Sequence, residues 1–286
     1  MNAFWHNLYY KIFRSTGKLM LLIWINIAVF LAINILAVFE KLIFHSDAIE
    51  FYSNKYLLLS ADISQLKYFW TPLTYMFMHA GILHILFNML VLFWMGRIFE
   101  EFLGKKRTIG LYLLGGLAGG ALFVICYNVF PAFTQTHEYL STTLVGASAS
   151  VMAIAAAAAT IAPDYPVFLP LLGEVKLKWI VLFYVVADFL SIAGPNAGGE
   201  IAHLGGALFG FVYVKQLQNG NDWIAAISNW FKAKPKLKVA STNRDKTAVN
   251  KPRQEDVDKI LDKISKTGYD NLTKQEKDIL FRASKK

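Results

Sequence analysis

Apolar residues in this chain come in long runs, and polar residues are pushed to the ends of those runs. The runs lie near Leu21–Phe39, Ile82–Phe99, Ile109–Phe130, Leu144–Ile161, Trp179–Ile192 and Ile201–Val214. A charged side chain costs about 3 kcal/mol near the centre of a bilayer, and about 20 apolar residues in a helix cross its hydrocarbon core. The pattern therefore predicts six membrane helices, the last two short enough to borrow residues from their flanks. The first run follows Lys11, Arg14 and Lys18 and has the length of a secretory signal. No small-residue cleavage site follows it, only Phe39-Glu40-Lys41, so it reads as retained.

Between and beyond the runs the pattern changes. Residues 1–19 interleave Trp5, Leu8, Tyr9, Ile12 and Phe13 with basic residues, as a helix lying on a membrane surface does. The first connection, roughly Glu40–Tyr75, is rich in aromatics and should pack in the interfacial zone. Within the runs, Gly115, Gly116, Gly119 and Gly120, the alanines from Ala155 to Ala159, and Gly205, Gly206 and Gly210 make small faces that let helices approach closely. After about Gln216 the chain turns polar. Residues 232–251 read as a basic linker. Beyond it, Val257, Ile260, Leu261 and Ile264 repeat at helical spacing, and Thr273 with Glu276 forms a capping box ahead of Ile279, Leu280 and Phe281.

Composition and charge sharpen the picture. Of 286 residues 55% are hydrophobic, the mean hydropathy is +0.39, and the net charge is +9. Lysine and arginine are held on the cytoplasmic side of membranes, so alternate connections can be compared. One set carries Lys11, Arg14 and Lys18, then Arg97, Lys105, Lys106 and Arg107, then Lys176 and Lys178, then the basic tail. The other carries only Lys41, Lys55 and Lys67, all in the first long connection. Both termini are expected in the cytoplasm of a cell with this protein in its plasma membrane. The net charge then reflects topology and attraction to anionic lipid heads, and no motif accompanies it that would point to nucleic acid. The single cysteine, Cys126, excludes an intrachain disulfide and a cysteine-built metal site.

Two residues carry the candidate chemistry. Ser148 stands at the start of the fourth run, in Gly146-Ala147-Ser148-Ala149, and His203 stands at the start of the sixth. With the orientation above both lie towards the outer leaflet, where a serine and a base could act on an amide. His84 and Asn88 are four apart and share a helix face, so an imidazole and an amide can point at one carbonyl oxygen with the backbone N–H of Ser148. Each feature alone also suits helix packing or an interhelical hydrogen-bond network. Ionisable groups within membrane runs, being costly, favour the functional reading. A metal is disfavoured: His79 and His84 are five apart, no His-Glu-x-x-His occurs, and carboxylates are expected to be lacking nearby.

The stretch from Trp70-Thr71-Pro72 to His79, the run His84-Ile85-Leu86-Phe87-Asn88, Gly96 with Glu100, Gly146-Ala147-Ser148-Ala149 and Ala202-His203-Leu204-Gly205-Gly206 together resemble the rhomboid family of intramembrane serine proteases, in the family's order. The resemblance covers roughly residues 20–215. It implies an all-α membrane protein, a six-transmembrane-helix rhomboid-like bundle, to which the helical spacing read above adds a small helical cytoplasmic C-terminal tail. It implies Ser148 as nucleophile and His203 as general base and acid, a catalytic dyad lacking a carboxylate. Asn88, His84 and the Ser148 N–H would line the oxyanion hole, with Gly146 in support. His79 would organise the second helix through hydrogen bonds, and Glu100 would brace the interior. Two positions depart from the family's habit: Thr71 stands where an arginine is common, and Met152 where a large aromatic stacks on the imidazole. Methionine can still meet an imidazole face.

The expected organisation is an interfacial segment over 1–19, a protease domain over 20–216, a linker over 217–251 and a helical-hairpin tail over 252–286. The expected activity is hydrolysis of single-pass transmembrane proteins within or near their membrane segment, in contact with membrane lipids, with no cofactor and no metal. The rival expectation is a non-catalytic membrane protein that binds transmembrane helices. A transporter fits less well, since the polar residues gather towards one leaflet and no inverted repeat is evident.

Overall fold

Inside a bilayer the backbone finds no water, so an apolar run satisfies its N–H and C=O groups internally by forming a helix. The computed structural model describes residues 17–134, 142–170, 173–230 and 252–284. Residues 1–16 of the surface segment expected over 1–19, and residues 231–251 of the expected linker, lie outside the described residues. The chain divides into two units, Met1–Lys232 and Ala233–Lys286.

In the first unit, α1 (Lys18–Phe44) is followed by α2 (Ala48–Leu57), the short strand β1 (Leu59–Ser60), a 3-10 turn over Ile63–Lys67 and α3 (Thr71–Thr74). Then come α4 (Ile82–Leu103), α5 (Thr108–Val129), α6 (Pro131–Thr134), β2 (Thr143–Leu144) and α7 (Ser148–Ile161). A hairpin of β3 (Pro166–Leu169) and β4 (Gly173–Lys176) leads to α8 (Leu177–Ser191), α9 (Ala197–Gln218) and α10 (Trp223–Trp230). Among the described residues three helices, α1, α4 and α5, are long and apolar enough to cross a membrane.

Helix α7 is shorter, with 14 residues, yet every residue from Ala149 to Ala159 is buried. It packs against α4, α5 and α9, and small residues make the contacts with α5 and α9. A methyl group added at Gly115 would fall 2.2 Å from the Ala153 Cβ, and one at Gly206 or Gly210 would fall 2.0 Å from the carbonyl oxygen of Ala149 or Ala153. Backbone therefore meets backbone where α9 crosses α7, as small-residue faces in membrane helices allow. By contrast α1 leaves Leu31, Ile35, Leu36, Phe39 and Leu42 exposed and buries only Leu19, Leu22, Ile23 and Asn26.

Three element boundaries differ from the sequence pattern. The first run continues as helix to Phe44, and the connection after it folds into α2, β1 and turns. The fourth run starts at Leu144, but Thr143 and Leu144 pair antiparallel with Ser60 and Leu59 and the helix begins only at Ser148. The sixth run starts at Ile201, whereas α9 starts at Ala197, so His203 sits in the second turn instead of at the helix start. The polar and small residues Gly198, Gly199 and Glu200 hide that extra turn from a hydropathy pattern.

Polar side chains fix the outer connection to the helices. The Trp70 indole N–H donates to Tyr56 O at 2.6 Å, and Thr74 donates to Leu57 O at 2.7 Å. Thr71 is buried and donates to Tyr68 O at 3.0 Å, so this connection is held without an arginine. Tyr75 donates to Gly116 O at 2.6 Å, and Tyr112 donates to Met76 O at 2.8 Å. At the other end Glu100 accepts from the backbone N–H of Leu19 at 3.1 Å and the hydroxyl of Thr108 at 2.8 Å, joining α1, α4 and α5. Arg107 pairs with Asp222 at 2.8 Å, tying the start of α5 to the segment after α9.

The second unit carries α11 (Gln254–Thr267), a 3-10 turn over Tyr269–Asn271 and α12 (Lys274–Ser284), with Ile260 and Leu272 buried. The Thr273 N–H donates to the Glu276 carboxylate at 2.7 Å, and the Lys263 ammonium donates to it at 2.9 Å. These two, with the Thr273 hydroxyl, hold the Glu276 carboxyl down at about 2.

Candidate active site

A cavity of about 720 Å³ opens between α4, α7, α8 and α9, and Ser148, His203, His84 and Asn88 all line it. Four residues far apart in sequence thus face one space. Its remaining walls are mostly apolar, including Leu83, Phe87, Val91 and Met95 from α4 and Ile180, Val181 and Tyr184 from α8.

Ser148 is the first residue of α7. The first intrahelical hydrogen bond at this end runs from the Val151 N–H to Ala147 O, so the N–H groups of Ser148, Ala149 and Ser150 precede the helical ladder. Free N–H groups and the positive end of the helix dipole favour a negative charge at this place. The backbone reaches Ser148 through a sharp turn at Gly146, whose φ of +119° lies in the left-handed region that favours glycine. The turn is pinned by strand β2 on one side and by the Gly146 N–H donating to Tyr75 O at 3.0 Å.

Gly146 also provides room. A Cβ there would lie 2.8 Å from both Cε1 and Nε2 of His84 and 3.7 Å from Ser148 Oγ. His84 therefore sits beside the serine across a bare backbone. Its Nδ1 accepts from the Ala80 N–H at 3.4 Å, which puts the ring proton on Nε2, the nitrogen beside Gly146. Asn88 is buried and gives one amide hydrogen to its own helix, at 2.9 Å from His84 O, which leaves the second for the cavity. His79 is buried as well, and its ring meets that of His84 edge to face with centroids 5.2 Å apart. Besides this ring packing it interacts with the backbone of Phe77, two residues earlier. Met152, one turn after Ser148, is buried and lines the same cavity, in the position where an aromatic residue was the family's habit.

His203 has a partner that the sequence pattern did not reveal. Its Nδ1 lies 3.2 Å from Oδ1 of Asp188, on α8. Carboxylates are thus not lacking here, contrary to expectation: Asp188 touches the imidazole, and Glu200 stands three residues before His203 on the same helix. The available signal was Asp188 itself, an acidic residue inside an apolar run, where a charge is costly and marks function.

A family model described as Rhomboid domain matches residues 66–218, and one described as Family of unknown function (DUF6576) matches residues 242–286. Presenilin-associated rhomboid-like protein A, mitochondrial, of Danio rerio is 33% identical over 167 residues, which are 57% of this chain and 39% of that protein. RHOMBOID-like protein 12, mitochondrial, of Arabidopsis thaliana is 28% identical over 158 residues, 52% of this chain and 47% of that protein. Rhomboid protease AarA of Providencia stuartii is 28% identical over 191 residues, 62% of this chain and 67% of that protein. The chain thus spans less than half the length of the first two relatives.

Proposed function

We propose that this chain, which belongs to the rhomboid family, is an intramembrane serine endopeptidase with Ser148 as nucleophile and His203 as general base and acid. The observation that carries this reading is the convergence of Ser148, His203, His84 and Asn88 on one cavity, with Ser148 at a helix start. In the reaction Ser148 Oγ attacks the scissile carbonyl carbon while His203 takes the hydroxyl proton. The oxyanion that forms is met by the Ser148 N–H, the His84 Nε2–H and the free amide hydrogen of Asn88. Each such donor is worth roughly 10²–10³ in rate. His203 then gives its proton to the leaving amine, and a water activated by the same imidazole hydrolyses the acyl-serine.

The substrate is a single-pass transmembrane protein. The apolar walls contributed by α4 and α8 suit a membrane segment, and the polar floor suits an amide exposed by local unwinding. Six spans follow if α7, α8 and α9 complete the crossings begun by α1, α4 and α5. The distribution of lysine and arginine then puts both termini in the cytoplasm and the cavity towards the outer leaflet of a plasma membrane. The mitochondrial names of several relatives set an organellar membrane as the alternative. Within this reading residues 1–19 form an interfacial segment, 20–216 the protease domain, 217–251 a linker and 252–286 a cytoplasmic helical tail.

Reconstitution into liposomes with a single-pass reporter tests the proposal. Wild-type protein should cut the reporter in or beside its membrane segment, and Ser148→Ala should leave it intact. Reporter that co-purifies uncut with the wild-type protein would instead indicate a helix-binding protein without catalysis.

A further inference from the structure

We propose that Asp188 is a positioning residue for His203, holding from a third helix the imidazole that acts on Ser148. The inference rests on the protease reading above and adds a member to the machinery.

Asp188 Oδ1 lies 3.2 Å from His203 Nδ1, and the two side chains are only 14% and 21% exposed. The other carboxylate oxygen is buried and has no hydrogen-bond partner among the described residues. The imidazole is thus the one group shown to hold the carboxylate in place. A carboxylate accepts hydrogen bonds and donates none, so the contact requires the proton on Nδ1. That tautomer leaves the lone pair on Nε2, the nitrogen a base needs if it is to take the Ser148 proton. When His203 becomes cationic in the reaction, Asp188 also supplies the opposite charge, at close range and out of bulk water.

The ring has other polar and titratable neighbours. His84 from α4, Ser148 from α7 and Tyr184 from α8 share its cavity, and Glu200 stands on its own helix, interacting electrostatically with both Asp188 and His203. His84 gives its Nε2–H towards Gly146 and cannot hold Nδ1 of His203 from there. Among these groups Asp188 is the one within hydrogen-bond distance of the imidazole, and it reaches the ring from α8.

Asp188→Asn tests this. An asparagine amide can offer Nδ1 a hydrogen, which drives the ring to the wrong tautomer, so kcat should fall at least 10²-fold with KM little changed. Asp188→Glu should recover part of kcat, which a purely structural role would not require. Unchanged kcat in Asp188→Asn, or no recovery of kcat in Asp188→Glu, would overturn the inference. Should that variant fail to fold, nitrogen-15 spectra of histidine-labelled Ser148→Ala protein decide: a proton on His203 Nδ1 supports the positioning role, and a proton on Nε2 overturns it. The spectra do not depend on turnover, so a protein that carries Nδ1–H but cleaves nothing would sink the protease reading and not this contact.

Discussion

At the scale of single residues the site depends on one glycine. Gly146 holds a φ of +119° and leaves no room for a Cβ, which would fall 2.8 Å from the His84 ring. An alanine there meets both penalties, with backbone strain alone of about 1–3 kcal/mol. In Gly146→Ala the ring of His84 must move, so kcat should fall at least tenfold while the protein remains folded by thermal melt. Unchanged kcat would mean that the turn does not set the distance between His84 and Ser148. The residues of the proposed site were legible, because a serine, two histidines and an asparagine inside or at the mouth of apolar runs have few cheap structural uses. Asp188 was not, since 15 residues and a change of helix separate it from His203. Only the fold brings them to 3.2 Å.

At the scale of elements the small-residue faces decide how closely the serine helix and the histidine helix approach. Gly206 and Gly210 present bare backbone to the carbonyl oxygens of Ala149 and Ala153. In Gly206→Val the side chain has no space to enter, and overpacking of this kind costs about 1–3 kcal/mol. The variant should melt several degrees lower and lose activity together, whereas Gly81→Ala, where a methyl meets nothing within 4 Å, should leave the melting temperature unchanged. Equal melting of the Gly206→Val and wild-type proteins would contradict the close approach. Helices were readable from the apolar runs because hydropathy and helix formation coincide in a bilayer. Their ends were less so. Leu144 is apolar enough to open the fourth run, yet pairing with Leu59 makes it part of a strand, and that partner lies more than 80 residues away. Conversely, Gly198, Gly199 and Glu200 look like a connection and are the first turn of α9.

At the scale of the whole molecule, a bundle around the buried helix α7 carries a cavity at one end, and a separate unit follows in the chain. The rhomboid-domain match over residues 66–218 covers the cavity's helices and stops before that second unit, whose own match is to a family of unknown function. The rhomboid match therefore lies in the first unit, where the proposed chemistry requires Ser148 to be activated by His203. The measurement that tests it most directly is covalent labelling of the purified protein by a fluorophosphonate, which reacts with activated serines, beside Ser148→Ala and His203→Ala of equal thermal stability. Wild-type protein should be labelled and both variants should not. Wild-type protein left unlabelled under conditions that label the Providencia stuartii protease, or labelling that persists in Ser148→Ala, would contradict the claim.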